Sequence, residues 1–468
     1  MMLKEKIHGW MVGREEEFVD ALAPLIAIDS TLGEAAPGMP FGPGPARALE
    51  ASLALARQWG LTTAEDEGYV GLIDLNDKED LLHILAHLDV VGAGDHWDTD
   101  PFTLVRKGDL IYGRGTDDDK GPAVAALLAM RCVKELGIPM KGNVKLILGT
   151  DEETGSRDLQ HYFSCHPFAP NSVTPDSCFP VTNIEKAGYA PRFSGSWPVQ
   201  PAQPRQLMSL KGGIRTNVAP GNCTALIQGL TEAEVQPVIA EIQTATGVAF
   251  TAAEGNGLLK LEATGVQAHA STPDEGKNAI TAMLELLTRL PLAQDKATEA
   301  VHTLNRLFPY GDNGGRALGI AMKDAVSGRL TLALSLLTLT GTGFTAQFDA
   351  RAPLCATEEN TKAVVEKVFG SFGWECRGNF HEAHAVDGDS PFIQTLLETY
   401  EEFSGRKGYC EAIGGGTYVH HIPGGVAFGA GEHDFDSHLH GANERASIRQ
   451  LLLTAEIYAA VIARVCGQ

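Results

Sequence analysis

The sequence predicts an α/β protein, in which a domain with a mostly parallel sheet is interrupted by an inserted α+β domain. In the first 180 residues, short apolar runs alternate with helical patterns, as in the strand–helix units of a parallel sheet. Near residue 185 the composition shifts to Gly, Pro, Ser and Gln, and after residue 385 the α/β pattern returns. These shifts predict a first domain in two parts, residues 1–185 and 386–468, around an insertion at 186–385.

Apolar runs and helix start signals predict the elements of the first domain. Leu81–Ala86 and Val144–Gly149 are runs typical of buried strands. Pro122–Leu136 is predicted to be a helix, because proline suits a first helical turn and an alanine-rich stretch follows it. The last part of the chain adds an apolar run and two predicted helices: Gly425–Gly429, Pro391–Phe403 and Ser447–Val465.

Short strands and helices alternate in the predicted insertion. Thr231 and Glu234 form a capping-box sequence that predicts a helix ending at Ala245. Two further helices are predicted at Asn278–Leu290 and Glu358–Phe369, and two strands at Leu258–Ala263 and Phe344–Ala350.

Length, charge and cysteine usage limit the function classes. A chain of 468 residues predicts two or three domains. The net charge of −22 argues against nucleic-acid binding, which needs a concentrated basic surface. We expect no membrane insertion or secretion, because no segment holds eighteen successive apolar residues and the first residues are polar. The eight cysteines form no C-x-x-C pair, so we expect reduced thiols and a cytoplasmic location.

Histidines and carboxylates follow the apolar runs, at the edge where functional groups of a parallel sheet gather. They occur in five places: His87-Leu88-Asp89, Gly113–Gly121, Asp151–Gly155, Asp176 and His438–His440. Singly each has a simpler interpretation: a His-x-Asp core-edge pair, a solvated Asp-Asp-Asp turn, or a surface Glu-Glu pair. Together they predict a two-zinc site, since zinc binds imidazole and carboxylate groups.

These motifs resemble the dizinc aminoacylase, carboxypeptidase and dipeptidase family, which includes desuccinylases and carnosinases. The shared signatures are a strand-terminal His-x-Asp, a Gly-Arg-Gly-x-x-Asp-x-Lys-Gly loop and a Glu-Glu pair, in that order. The resemblance covers essentially the whole chain. Three more segments resemble the bacterial carnosinase-like, Xaa-His dipeptidase branch: Thr174–Pro180, Gly265–Asn278 and Gly414–Tyr418. The resemblance implies that the first domain is catalytic and the insertion a lid.

The resemblance implies a set of metal ligands. His87, Asp118 and Asp176 would bind one zinc ion. Asp118 would bridge to a second zinc ion, bound also by Glu153 and His440. It also implies a cis peptide after Asp118. Manganese and cobalt accept the same ligands.

Two choices within this set stay open from the residues themselves. Composition does not separate Asp118 from its neighbours Asp117 and Asp119. His433 and His438 are alternatives to His440, which is preferred because the spacing to Asn443 and Glu444 fits the family.

The family resemblance also implies roles in chemistry. Glu152 would be the general base that takes a proton from the attacking water, and Asp89 would orient His87. His269, in the lid segment, would donate to the oxyanion, although a plain loop histidine is the alternative.

Four further residues are expected to bind substrate. The resemblance implies that Arg351 would anchor the substrate carboxylate, with a structural ion pair to Asp349 or another carboxylate as the competing interpretation. Asn217 would assist at the carbonyl oxygen, with a turn-forming role as its alternative. Gly415 and Gly416 would allow the backbone to approach a small ligand.

The resemblance therefore implies a metallopeptidase that hydrolyses dipeptides, with broad or Xaa-His specificity and a lid long enough for a monomer. The alternative within the family is an N-acyl-amino-acid deacylase or desuccinylase. An alternative of another class is a non-catalytic, metal-dependent binding protein, against which the presence of Glu152 argues, since holding metal does not require it.

Overall fold

The computed structural model describes residues 2–468, which form two compact units. The first unit contains the chain up to Ile184, together with Ala385–Glu411 and Gly416–Gln468. The second contains Glu185–His384 and the short stretch Ala412–Gly415. The sequence predicts this stretch in the last part of the catalytic domain, whereas in the structure it groups with the second unit.

A mixed sheet with a parallel centre forms the first unit. Four neighbouring strands run parallel, in the order Asn143–Gly149, Asp80–His87, Ser172–Thr174 and Gly425–Ala427. Antiparallel strands flank them: Val70–Asp74 and Thr62–Asp66 on one side, and Val181–Glu185 on the other. The α/β prediction is confirmed, with the parallel strands confined to the middle of the sheet.

Helices cover this sheet and bury its apolar side chains. Their bounds are Leu3–Met11, Glu15–Ile26, Pro43–Gln58, Lys120–Glu135, Arg157–Cys165, Pro391–Ser404 and Ile448–Cys466, with a 3₁₀ turn at Tyr418–His421. The helix Lys120–Glu135 begins two residues before its predicted start and is buried along most of its length. It packs against the terminal helix Ile448–Cys466, and both contribute to one apolar core. The loop Gly113–Gly121, called the acidic loop below, is thereby fixed to a buried helix.

Short antiparallel strands complete the first unit. Val105–Lys107, Leu110–Tyr112 and Arg445–Ser447 form a three-stranded sheet, and Ser177–Cys178 pairs with Ala430–Gly431. Two further strands, His384–Ala385 and Cys410–Ile413, cross the division between the units along the chain. No helix within residues 2–468 combines the length and apolar composition needed to cross a bilayer.

The second unit contains an antiparallel sheet with its own apolar core. From one edge, the main strands are Ala249–Gly255, Leu258–Thr264, Asn222–Gln228, Leu207–Gly212, Thr331–Thr340, Gly343–Ala352, Ala187–Tyr189 and Phe380–His381. Arg192–Ser196 extends this sheet by pairing with Gly343–Ala352 and with Glu375–Arg377. Two small two-stranded sheets are also present: Val218–Ala219 with Ala268–His269, and Lys323–Asp324 with Gly328–Arg329. Its helices are Glu232–Thr246, Ala279–Arg289, Lys296–Leu307 and Lys362–Gly370, with a 3₁₀ turn at Pro273–Glu275.

One helix of this unit begins later than its sequence predicts. The predicted start was Glu358, whereas the helix runs from Lys362 to Gly370. The N–H of Thr357 donates to the side-chain oxygen of Asn360 at 2.8 Å, and the N–H of Asn360 donates to the Thr357 hydroxyl at 3.2 Å. Such local side-chain hydrogen bonds compete with the first helical turn.

At the end of the parallel strands opposite to the predicted metal ligands, a polar network surrounds Asp80. Its carboxylate accepts hydrogen bonds from Asn143 at 2.7 Å and Lys145 at 2.6 Å, and His83 lies 3.4 Å away. Burial raises the pKa of Asp80, but these three neighbours outweigh burial and hold it below its ordinary value of 3.8.

Because the pKa of Asp80 is lower in the folded state, its ionisation stabilises the protein above pH 4, and this contribution is lost as the pH falls toward the folded pKa. We expect Asp80→Asn to lower the free energy of unfolding at pH 7 and to have a smaller effect at pH 3. Urea unfolding at both pH values measures the difference. Asp77→Asn makes the same charge change at an exposed position and should alter stability little. An effect of Asp80→Asn that is equal at both pH values would contradict the assignment.

Candidate metal centre

The predicted ligands lie at one edge of the sheet because they follow parallel strands. His87 is the last residue of its strand, Asp151–Glu153 follow the neighbouring strand, and Asp176 follows Ser172–Thr174. The carboxyl ends of parallel strands meet at the same edge. This topology places the side chains near one another in a largely buried position.

The carboxylate of Asp118 lies between two imidazole rings. Its Oδ1 is 2.8 Å from Nε2 of His87, and its Oδ2 is 2.8 Å from Nε2 of His440. The peptide between Asp118 and Asp119 is cis, as the family resemblance implied. One carboxylate therefore presents a different oxygen to each of two histidines.

The side chains around Asp118 form two groups of possible metal ligands, one of which includes Asp118 itself. They are His87 with Glu152 and Asp176, and Asp118 with Glu153 and His440. Within each group the ligand atoms all lie within 4.8 Å of one another. The first group contains Glu152, which the sequence analysis assigned to proton transfer.

Two buried atoms in the centre suit a cation. Nε2 of His87 and Oε1 of Glu153 are buried, and their near neighbours are other predicted ligands: Asp118 lies 2.8 Å from the first atom and His440 lies 3.4 Å from the second. Nδ1 of His87 lies 3.0 Å from the carbonyl oxygen of Asp89, which can only accept, so Nδ1 carries the proton. In the neutral imidazole, Nε2 then has the lone pair with which histidine binds a divalent metal ion.

Burial and neighbouring charges shift the pKa values of the groups in the centre. The pKa is raised for three carboxylic acids, with burial as the largest cause and the charge of Asp118 adding to it: Glu152, Glu153 and Asp176. Burial lowers the pKa of His440, but hydrogen bonds with Asp118 and Glu153 outweigh it and raise the value to about 10. A bound metal ion would oppose these shifts, because a cation favours ionised carboxylates and neutral imidazole.

The carboxylate of Asp89 holds the backbone of the Glu-Glu pair. Its two oxygens accept the N–H groups of Glu152 and Glu153, each at 3.1 Å. Asp89 is also the residue predicted to orient His87. The nearer acceptor for Nδ1 of that ring is the backbone carbonyl oxygen of Asp89, at 3.0 Å, and the carboxylate oxygen lies at 3.5 Å. Asp89 therefore contacts both the ring of His87 and the backbone of Glu152 and Glu153, within residues 150–153, which are called the glutamate turn below.

Glu444 binds the acidic loop in a way that sequence reasoning missed. Its Oε1 accepts the N–H groups of Gly115 and Asp117 at 3.0 Å and that of Asp118 at 3.3 Å. Its Oε2 accepts from Arg114, and both side chains are buried. The sequence offered one signal for this contact: Arg114 lies within the motif Gly113–Gly121, and Glu444 lies in the segment whose spacing favoured His440. The Arg114–Glu444 ion pair therefore connects the acidic loop to the segment that follows His440.

We expect Glu444→Ala to lower the free energy of unfolding by about 3–5 kcal/mol, because it leaves the Arg114 charge buried without its partner. Urea unfolding of the metal-free protein measures this loss. As a control, Glu375→Ala removes one partner of the exposed Arg377 pair and should cause no measurable change. Equal stability of the two variants would contradict a structural role for the buried pair.

The alternative ligands have other partners. His433 lies 2.9 Å from Glu411, and Nδ1 of His438 lies 3.0 Å from the carbonyl oxygen of Ala442. Oδ2 of Asp119 accepts the backbone N–H of His87 at 3.0 Å. Burial raises the pKa of Asp117 to about 6, and a hydrogen bond with Ser437 opposes that rise. Of the candidate groups described, neither contains any of these four residues.

In the second unit, His269 lies on a short strand, and Asn217 lies in the turn directly before the strand that pairs with it, the turn position that was its alternative interpretation. Ala268–His269 pairs with Val218–Ala219, and the N–H of Ala270 donates to the carbonyl oxygen of Asn217 at 2.9 Å. The Ser271 N–H donates to Nδ1 of His269 at 3.3 Å, and the Ser271 hydroxyl lies 2.6 Å from the same atom. Nδ1 is therefore an acceptor, and the ring proton lies on Nε2.

Arg351 makes the ion pair that was the competing interpretation. Its Nε and Nη2 bind the two oxygens of Asp349 at 2.7 and 2.9 Å, and Nη1 donates to the Gly414 carbonyl at 2.8 Å. Among the predicted glycines, Gly415 belongs to the second unit and Gly416 to the first. A Cβ at Gly415 would meet only Ile413, at 3.7 Å, so protein packing does not require glycine there.

The chain is similar in sequence and in fold to known peptidases. Residues 83–464 match the model of Peptidase family M20/M25/M40. "Putative dipeptidase YtjP" of Bacillus subtilis is 32% identical, over 97% of this chain and 98% of that protein. The Beta-Ala-Xaa dipeptidase of Lactobacillus delbrueckii subsp. lactis is 32% identical, over 96% of each chain. The crystal structure of human carnosine dipeptidase 1 has the same fold, with a TM-score of 0.59 at 16% identity, and the match covers 99% of each chain.

Proposed function

Because the chain belongs to peptidase family M20/M25/M40 and is a peptide-bond hydrolase, we propose that it is a dipeptidase with two zinc ions in the Asp118 centre. The observation that carries this proposal is the position of Asp118, whose two oxygens lie 2.8 Å from two different imidazole nitrogens. A carboxylate in this position can bridge two metal ions. The relatives named as dipeptidases, aligned over nearly their full length, support the choice of substrate.

The proposed ligands of the first ion are His87, Asp118 and Asp176. Those of the second are Asp118, Glu153 and His440. Zinc is favoured by this mixture of imidazole and carboxylate groups, and manganese and cobalt are the alternatives. When bound, two such cations supply Lewis-acid activation of the scissile carbonyl and of the attacking water.

Glu152 is proposed as the residue that moves protons. Its carboxylate lies within 4.8 Å of the ligand atoms of His87 and Asp176, and Asp89 holds its backbone N–H. It would accept a proton from the attacking water and return a proton to the nitrogen of the leaving amine. A carboxylate suited to this work needs a raised pKa, and burial raises that of Glu152.

Residues of the second unit are proposed to bind the substrate. The proton on Nε2 of His269 suits donation to the oxyanion, and Asn217, directly before the strand that pairs with that of His269, would assist at the carbonyl oxygen. Arg351 is proposed to anchor the terminal carboxylate with the N–H groups that Asp349 leaves available. Gly415 and Gly416 are proposed to let the backbone approach the ligand.

The proposal is tested by a substrate panel with and without a chelator. We expect hydrolysis of Ala-Ala and β-Ala-His, little hydrolysis of Ala-Ala-Ala or of N-acetyl and N-succinyl amino acids, and loss of activity with EDTA. Preferred hydrolysis of the acylated amino acids would favour a deacylase or desuccinylase and contradict the dipeptidase assignment. Binding of dipeptides without hydrolysis would favour a metal-dependent binding protein. The cytoplasmic location stays a prediction, as does a lid long enough to serve a monomer.

A further inference from the structure

Two buried carboxylates outside the proposed ligand set hold the backbone of the glutamate turn. Asp158 accepts the N–H groups of Thr150 and Asp151 on one oxygen, at 2.5 and 2.9 Å. Asp89 accepts the next two N–H groups, those of Glu152 and Glu153. Four successive backbone N–H groups are therefore bound by carboxylates, and their hydrogen bonds fix the path of the turn.

The hydroxyl of Tyr418 reaches the same oxygen of Asp158, at 2.5 Å. Its ring meets the ring of His87 edge to face, with centroids 6.2 Å apart and planes at 89°. Tyr418 is 2% exposed. One side chain therefore contacts both a proposed metal ligand and the carboxylate that holds the turn of the proposed base.

Gly149 provides the space for this arrangement. A Cβ at this position would lie 1.9 Å from the Tyr418 hydroxyl oxygen and 2.4 Å from the bound oxygen of Asp158. Any larger residue would displace the hydroxyl or the carboxylate, since contacts below 3.0 Å are not tolerated. The strand that leads into the glutamate turn thus ends in a residue without a side chain at the contact point.

We propose that Tyr418 and Asp158 act as a positioning pair that fixes the Glu152–Glu153 turn relative to the ring of His87. Both side chains are buried, with Tyr418 2% and Asp158 0% exposed, so the proposed role does not require either residue to touch substrate. The kinetic part of this inference rests on the proposed dipeptidase function. Removing the hydroxyl leaves the turn bound at its backbone but frees Asp158 and the tyrosine ring to shift.

The test is Tyr418→Phe, which keeps the ring and removes the hydroxyl. We expect kcat for Ala-Ala to fall by about 10- to 100-fold, the range found for outer-shell partners of metal ligands, with KM and the bound-metal content unchanged. Tyr400→Phe is the matched control, because the Tyr400 hydroxyl also binds a buried carboxylate, that of Glu432, at 3.2 Å. The control should keep the kcat of the unaltered protein.

Asp158→Asn and the double variant test whether the two residues act together. If they form one device, the double variant should lose no more kcat than Asp158→Asn alone. Three results would each contradict the proposed positioning role. They are fully additive losses in the double variant, a Tyr418→Phe kcat within twofold of that of the unaltered protein, and an equal loss of kcat in Tyr400→Phe.

Cobalt-substituted protein separates this inference from the proposed function. We expect Tyr418→Phe to change the visible absorption band of bound cobalt, because the orientation of the His87 ring changes, and Tyr400→Phe to leave it unaltered. A protein that hydrolyses no dipeptide would contradict the proposed function, while a changed band in Tyr418→Phe would still support the pair. A band that superimposes on that of the unaltered protein would overturn it.

Discussion

Glu152→Gln should retain both metal ions and lower kcat for dipeptides by about 10²- to 10⁴-fold, the contribution of a positioned general base. The amide occupies nearly the same space as the carboxylate but does not take a proton from water. KM should change little, since the ligands in our proposed set and the second unit stay intact. Steady-state kinetics with metal analysis of the same sample measures both quantities.

A matched control distinguishes this role from a general effect of losing a buried glutamate. Glu456→Gln makes the same change at a buried glutamate that contacts His8, 2.8 Å away. It should leave kcat unchanged. If Glu152→Gln instead lost one metal ion, Glu152 would be a ligand, as its place beside His87 and Asp176 permits, and the general-base assignment would be wrong.

Asp118→Ala should release metal from both positions and lower activity by at least about 10³-fold. The expectation follows because metal activation supplies several kcal/mol of transition-state stabilisation, and each 1.36 kcal/mol is a factor of ten in rate. The two oxygens of Asp118 face different histidines, so one substitution affects both positions. Equilibrium dialysis against zinc, followed by metal analysis, measures the loss.

Asp117→Asn is the control for this prediction. Asp117 is adjacent in sequence and half-buried, but it interacts with Ser437 and belongs to neither candidate ligand group described. We expect it to keep two metal ions. Retention of two ions by Asp118→Ala, or the same metal loss in both variants, would contradict the bridging role of Asp118.

Local patterns predicted the parts of the fold that depend on local physics. The strands ending at His87 and Gly149 were evident because a buried parallel strand is a continuous apolar run. The Thr231 capping-box sequence predicted the helix Glu232–Thr246, since helix starts have side-chain signals. Parallel topology then explains why groups that follow these strands lie near one another.

Contacts between distant parts of the chain were not predictable in this way. Tyr418 lies 260 residues from Asp158, and Glu444 lies 330 residues from Arg114. No periodicity or spacing encodes such pairs, and a buried carboxylate resembles a surface carboxylate when only its sequence is seen. The same limit applies to 412–415, whose grouping with the second unit depends on tertiary contacts.

The most direct test of the account is the recovery of dipeptide hydrolysis when zinc is added back to protein freed of metal by a chelator. The account predicts no hydrolysis of Ala-Ala without metal and activity that rises until two equivalents of zinc are bound per chain. Full activity of the metal-free protein, or saturation at one equivalent with no further binding, would contradict a catalytic centre built around a bridging Asp118.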